Sequence, residues 1–320
     1  MHGAKAAVVS RGRMRALIVT NMYPSAARPA LGSFVRDQVD ALRRIDGVDV
    51  DVFSFAPGGI ASYARGAAEL RRRHRHDRYD VVHAHFGLTA WPAFAAHGEV
   101  RAVTLHGTDL AHPRSRAITT AALPFLDLVA AVSEPLAAAI PKKAVRGRTA
   151  VLPAGVDTGR FRPIPRDEAR DELGLAPDRT YLLFPADPSR PEKRYDRAQA
   201  VAGDVPLIAL GDVEPQKVPL YVNAANAVVV PSEREGFGLA VLEALACDVP
   251  VLATPVGIAP EALEGIAGAY VAPFDEAAWR AALEQPLNTH DPRIDGRARA
   301  ETFSTDRMAD NVVAAWRSLL

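Results

Sequence analysis

Short apolar runs alternate along the chain with stretches whose apolar residues recur at helical spacing. In the first half the runs fall at Ala16–Thr20, Val48–Phe53, Val81–His85, Ala102–Leu105, Leu128–Val132 and Ala150–Leu152. In the second half they fall at Tyr181–Phe184, Leu207–Leu210, Ala227–Val230, Val251–Ala253 and Ala269–Val271. Helical patterns such as Phe34–Arg43 and Tyr63–Arg72 lie between them. Strand–helix alternation of this kind predicts parallel sheets covered on both faces. The pattern stops and restarts around Pro153–Leu175, which opens PAGVDTGRFRPIPRDEARDEL. A connection between two doubly wound α/β domains is expected there. Two such domains facing each other turn their strand C-terminal ends toward one cleft, and ligands of open α/β sheets bind at those ends.

Length agrees with two cores, since 320 residues exceed what one hydrophobic core usually serves. Charge narrows the partners. Lys+Arg and Asp+Glu are both 38, so no nucleic-acid partner is expected. Cys247 is the only cysteine, which excludes an intramolecular disulfide and suits a reducing compartment. No apolar run approaches the ~18 residues a bilayer span needs. The opening stretch MHGAKAAVVSRGRMRALIVT lacks a signal-peptide apolar region and cleavage site. The expected setting is cytoplasmic; residues before Met14 read as a ragged extension, with Met14 a candidate for the true start.

The candidate chemistry concentrates in PSEREGFGLAVLEALA, Pro231 to Ala246. It leaves the Ala227–Val230 strand and passes Gly236 and Gly238, where glycine permits positive φ and close backbone approach. Leu239, Leu242, Leu245 and Ala246 then recur at helical spacing. A helix starting near Gly238 would aim free N–H groups and a positive dipole end at the cleft, a site suited to phosphate. Glu235 lies before the turn and Glu243 about five residues, or ~7.5 Å, into the helix. Carboxylates repel phosphate but accept hydrogen bonds from sugar hydroxyls. A nucleotide-diphosphate sugar has hydroxyls on both sides of its phosphates, a ribose at one end and a hexose at the other.

The stretch EGFGLAVLE, Glu235 to Glu243, resembles the E-x7-E signature of retaining GT-B glycosyltransferases, specifically glycosyltransferase family 4, and ALACDVPVLATPVGIAPEAL continues the resemblance. The resemblance covers Met14 to Leu320. It implies a GT-B fold of two Rossmann-like domains about a central cleft. Glu235 is then expected to contact the donor sugar and Glu243 the nucleotide ribose. Gly236, Phe237, Gly238 and Leu239 form the donor turn, the last three offering backbone N–H groups. The expected division is 14–160 for the acceptor side and 161–301 for the donor side. The closing stretch, about 302–320, resembles the family's C-terminal helix that returns to the first domain.

The same resemblance extends to other positions. In PADPSRPEKRYD, Lys193 matches the lysine aimed at the pyrophosphate, where an ammonium offsets charge on the leaving group. The family's arginine five residues earlier is Pro188 here, and its glycine after the lysine is Arg194, leaving Arg190 and Arg194 as alternatives for the arginine. Gly32, in NMYPSAARPALGSF, matches a loop that borders phosphates and acceptor, with Ser33 able to cap the next helix. His106, in VTLHGTDL with Asp109 after it, matches a histidine near the donor sugar, and His83 and His85 are expected on the acceptor side. Ser133 and Glu134 are further cleft candidates, and Gly155 and Asp157 are read as hinge residues.

Several features have plainer readings. The D-x-D of Asp49-Val50-Asp51 alternates with Val48 and Val52, as in a half-buried strand. His83, His85, His106 and His112 lack a cysteine or clear carboxylate partner, so no metal site is expected. The basic run ELRRRHRHDR, Glu69 to Arg78, reads as a solvated helix C-terminus, with peripheral membrane contact as the sharper alternative. The expected function is metal-independent, retaining glycosyl transfer without a cofactor. A nucleotide-diphosphate sugar, by default a UDP-sugar, would be the donor, and a glycan, lipid-linked or small-molecule acceptor would receive the sugar. A sugar-nucleotide epimerase and a non-catalytic nucleotide-sugar binder are the rivals. No G-x-G-x-x-G follows the first strand, which disfavours a dinucleotide-dependent oxidoreductase.

Overall fold

A computed structural model of the chain describes residues 13–211 and 213–320. Among these, six strands form one parallel sheet: β1 (Met14–Thr20), β2 (Val48–Ser54), β3 (Tyr79–His85), β4 (Gly98–Leu105), β5 (Leu128–Ala131) and β6 (Arg148–Val151), ordered β2-β1-β3-β4-β5-β6. Five more form a second parallel sheet: β7 (Leu182–Phe184), β8 (Leu207–Ala209), β9 (Ala227–Val230), β10 (Val251–Ala253) and β11 (Tyr270–Val271), ordered β11-β10-β9-β7-β8. β5 and β9 are buried at every position, because helices cover both faces of each sheet and leave no polar side. β2 alternates instead. Asp49 and Asp51 face solvent and meet Arg13 and Arg15 at 2.9 and 3.4 Å, so the D-x-D string belongs to an edge strand.

The helix after β1 runs Ser33–Leu42 and buries Val35, Val39 and Leu42. Ser33 does not cap it. Gly32 takes the N-cap position in the left-handed region (φ 69°), which makes Ser33 the first helical residue, and no side chain caps this end. The next helix, Ile60–His74, begins three residues before the expected Tyr63. Its last turn carries Arg71, Arg72, Arg73 and His74, and Arg72 and Arg73 both reach back to Glu69. The basic run is thus a helix C-terminus partly neutralised from its own surface.

The C-terminal helix, Thr305–Arg317, is capped by Ser304 and packs Met308, Val312, Val313 and Trp316 into the core of the first sheet, against Val35, Val39 and Val48. Its start pins the connection between the sheets. The Val156 N–H donates to the Phe303 carbonyl at 2.9 Å, and the Thr305 N–H donates back to the Val156 carbonyl at 3.0 Å. A Cβ on Gly155 would lie 2.7 Å from Thr305 Cα, so that position admits only glycine without a shift. Asp157 accepts from the N–H groups of Gly159 and Arg160, which fixes the turn that follows. No helix among the described residues is long and apolar enough to cross a membrane.

Candidate active site

The second-sheet wall of the cleft begins where β9 ends. Its chain turns at Gly238 (φ 98°) into the helix Leu239–Ala246. Among the described residues, the N–H groups of Phe237, Gly238 and Leu239 have no acceptor. Phe237 buries its ring, so it offers backbone to the cleft. Gly257 backs this turn. A Cβ there would sit 2.2 Å from the Phe237 carbonyl oxygen, and the adjacent Ile258 N–H donates to that oxygen at 2.7 Å. Gly236 meets the opposite wall: a Cβ on it would lie 1.9 Å from the His106 carbonyl oxygen, and its own carbonyl accepts from Ser133 Oγ at 3.0 Å. Glycine is required here because two backbones touch across the cleft.

Lys193 ends a short 3-10 turn, and its Nζ donates to both oxygens of Glu235 at 2.7 and 2.6 Å. Ser232 Oγ donates a third bond to Glu235 at 2.7 Å. Arg194 adopts φ 57°, the conformation that a glycine would take without strain. Its guanidinium is held by Asp196 and Glu233 at 2.6 and 2.5 Å. Arg190, bonded to Glu192 through Nε and Nη2 at 3.0 and 2.8 Å, lines a cavity of about 340 Å³ together with His106, Ser133, Glu192, Arg234 and Glu235. Of the two arginine alternatives, geometry brings Arg190 to the cleft.

Glu243 is half-buried on the helix behind the turn. Among the described residues no hydrogen bond or ion pair reaches its carboxylate. Burial pushes its pKa up to about 7; Arg160 and Lys193 pull it down and Asp37 pushes it further up. Arg160 is already committed, donating to both oxygens of Asp37 at 3.2 and 2.6 Å.

The first-sheet wall is neutral. His83 and His85 are fully buried on one face of β3, with rings stacked 5.2 Å apart, and His106 stacks on His85 at the same spacing. Trp316 Nε1, which can only donate, bonds His83 Nδ1 at 3.0 Å. His83 therefore carries its proton on Nε2 and donates it to Thr104 Oγ1 at 2.8 Å. His85 Nδ1 meets His106 Nε2 at 3.0 Å, while His85 Nε2 is buried without a partner. A buried orphan N–H is rarer and costlier than a bare acceptor. The network thus assigns the proton to His85 Nδ1, donated to His106 Nε2, and leaves His106 with its own proton on Nδ1. Burial holds all three below the usual histidine range, His85 at about 4.

His83 and His85 lie in the first sheet but are buried, so of the three only His106 reaches the cavity and the other two stand behind it. His112 is exposed at the start of the helix Pro113–Ala122. Asp109 is buried and accepts from the N–H groups of Gly87, His106 and Gly107 at 2.5, 2.6 and 3.2 Å, which holds the His106 loop in place. Gly32 is fixed by crowding, since a Cβ on it would lie 2.2 Å from the Met22 carbonyl oxygen.

Residues 179–289 match the model of the family described as glycosyl transferases group 1, and residues 31–160 match that of glycosyltransferase family 4. The chain is 31% identical to a D-inositol 3-phosphate glycosyltransferase of Actinosynnema mirum, over 81% of this chain and 77% of that protein. The chain belongs to glycosyltransferase family 4. A protein of the same name from Geodermatophilus obscurus is 30% identical over 81% of this chain and 71% of its own length. Among solved structures, sucrose-phosphate synthase from Thermosynechococcus elongatus superposes with a TM-score of 0.74 at 19% identity, over 96% of this chain and 99% of that one. Anabaena HepE in complex with UDP-glucose superposes with a TM-score of 0.69 at 19% identity, over 95% and 100%. The fold is GT-B, and the chain is a glycosyltransferase.

Within this family 4 enzyme the structure brings His106, Arg190, Glu235 and Gly236 to one cavity, with Lys193 bound to Glu235 and Glu243 behind the same turn. Gly32 lies on the opposite wall, before the helix that carries Asp37. Sequence reasoning gave no role to Asp37, Arg160, Ser232 or Gly257. Gly257 stands inside the stretch that carried the family resemblance, so its signal was present. Asp37 and Arg160 are 123 positions apart, and nothing local marks them as partners.

Proposed function

We propose that this family 4 enzyme is a retaining, metal-independent transferase that moves a sugar from a nucleotide-diphosphate sugar, by default a UDP-sugar, to an acceptor hydroxyl. Residues 161–301 serve the donor. Residues 14–160, with the helical segment 302–320, serve the acceptor. The carrying observation is the turn Gly236–Leu239: its N–H groups are unclaimed, and a lysine is parked beside it on Glu235. A helix end offers about half a charge and a diphosphate carries more, so Lys193 and Arg190 supply the rest. As the pyrophosphate draws Lys193 away, Glu235 becomes free to accept hydrogen bonds from the donor sugar. Glu243 accepts the ribose hydroxyls. His106 donates its Nδ1 proton to a sugar oxygen and, being neutral and held in that tautomer, orients rather than abstracts.

In the chemical step the bond from the anomeric carbon to the leaving phosphate breaks, and the acceptor oxygen bonds to the same face. The departing phosphate oxygen takes the acceptor proton. Contact of Gly236 with the His106 backbone closes the two walls, which favours orientation and excludes water. The default choice of UDP draws support from Anabaena HepE, whose structure was solved with UDP-glucose. The test is a thermal-shift panel of UDP, GDP, ADP and their sugars in the presence of a chelator. A ligand at a hundred times its Kd stabilises by about 2.7 kcal/mol. UDP compounds are expected to raise the Tm of wild type and to fail with Glu243→Ala; a wild type indifferent to every nucleotide rejects the donor site.

A further inference from the structure

A second cavity, of about 550 Å³, lies on the first domain between the start of the helix Ile60–His74, the Leu88–Pro92 segment and the helix Pro113–Ala122. Its walls include Ile60, Tyr63, Leu88, Trp91 and Ile118, and its only charged side chain is Arg114. Among the described residues four large hydrophobic side chains are exposed, Ile60, Trp91, Ile118 and Phe125, and three of them line this cavity. Ile60 is 86% exposed. Phe125 joins the same surface through Phe94, whose ring lies 6.2 Å from it and 5.8 Å from Trp91. Apolar side chains gathered at one concave place mark a binding site, whereas scattered ones do not.

The cavity adjoins the reacting centre. Phe86 places its ring 4.6 Å from that of His106, and Leu88, two residues on, lines the cavity, so one short turn separates the two spaces. Tyr63, from the cavity wall, accepts a hydrogen bond from Asn21 at 2.9 Å, just beyond the C-terminal end of β1. The Arg114 guanidinium has no ion pair or hydrogen bond among the described residues. A wall with one cation and no carboxylate offers little to a hydroxyl-rich glycan segment.

We infer that this cavity holds the apolar part, a chain or ring, of the acceptor whose hydroxyl reacts beside His106. The acceptor is thereby an amphipathic alcohol. The inference rests on the transferase reading above, but its first test does not. Trp279 and Trp316 are 0% exposed, so a ligand-dependent blue shift in tryptophan emission reports Trp91. Wild-type protein would be titrated with methyl, butyl, hexyl and octyl β-D-glucosides below their micellar concentrations. Each buried methylene is worth ~0.8 kcal/mol, so affinity is expected to rise about fourfold per methylene added. Ile60→Asp and Ile118→Asp are expected to weaken the octyl compound at least tenfold while leaving the UDP-induced Tm shift intact, which shows that they fold. Incubation with UDP-sugars is expected to add a hexose to octyl glucoside far faster than to methyl glucoside. A flat chain-length series, variants that bind as wild type, equal transfer to both glucosides, or a blue shift that only phospholipid vesicles evoke would each overturn the inference. A missing UDP shift in wild type would instead strike the donor site, because the Trp91 titration needs no nucleotide.

Discussion

The two walls of the cleft carry the same local device with opposite settings. Gly32 and Gly238 are both left-handed N-caps without a capping side chain, each starting a helix that faces the cleft. Five positions after each glycine stands an acid, Asp37 and Glu243. Asp37 is bound by Arg160, a residue of the connection between the sheets, whereas among the described residues no hydrogen bond or ion pair reaches Glu243, which feels Arg160 only at longer range. The difference separates structure from readiness. A neutralised carboxylate ties the first domain to the connection between the sheets, and an unneutralised one, with its pKa raised to about 7, is open to a ligand that would supply hydrogen-bond donors.

The largest way to break the comparison is to remove the cation at the donor turn. Lys193→Ala is expected to lower the rate of sugar transfer by about 10²–10³, the usual loss when one preorganised electrostatic contact to a leaving group is deleted. Arg160→Ala, its counterpart on the other side, should spare the chemistry more and cost mostly stability, about 2 kcal/mol in denaturant melts, since it leaves Asp37 with only the longer contact to Arg36 at 3.4 Å. Equal losses of rate in the two variants would dissolve the distinction.

Glu243→Gln comes next. It keeps the shape and removes the charge. UDP affinity in calorimetry should fall at least tenfold, while the free protein becomes more stable. The sign follows from linkage: a carboxyl whose folded pKa is raised to about 7 costs nothing below about pH 4.5, where both states are protonated. Its cost grows as pH rises from there through 7 and is complete above. The gain from Gln above pH 8 is on the order of 3 kcal/mol. A variant that binds UDP as wild type does, or gains no stability at high pH, contradicts this account.

The smallest effect belongs to Asp37→Asn. It releases Arg160 from its pair and removes a negative charge near Glu243. Both changes lower the Glu243 pKa. The pH at which UDP binding strengthens should move below 7, with affinity at pH 8 changed by about threefold or less. A midpoint that stays put would mean that Asp37 and Glu243 do not share Arg160.

How much of this was legible depended on whether partners are local. Strand runs and the turn at Gly238 are written in contiguous residues, and there the periodicity placed β9 and the following helix within a residue. Ser33 was misread because Ser preceding an apolar helical pattern usually caps it. The crowded Gly32, with no room for a Cβ, shifted the cap by one. Arg194 could be read as unusual, standing where the family has glycine, and its positive φ shows what the glycine is for. The histidine tautomers were out of reach, since they depend on Trp316, 233 positions away from His83. The apolar cavity is assembled from separate segments, none unusual in isolation.

The central claim is that Glu243 receives the nucleotide in its ionised form. Isothermal titration of UDP at pH 7, repeated in buffers of different ionisation enthalpy, measures the protons exchanged on binding. With a pKa of about 7 the carboxyl is half-protonated in the free enzyme, so wild type should release about half a proton per UDP more than Glu243→Gln does. Identical proton counts for wild type and Glu243→Gln, at concentrations where both bind, would contradict the assignment and move the ribose away from this helix.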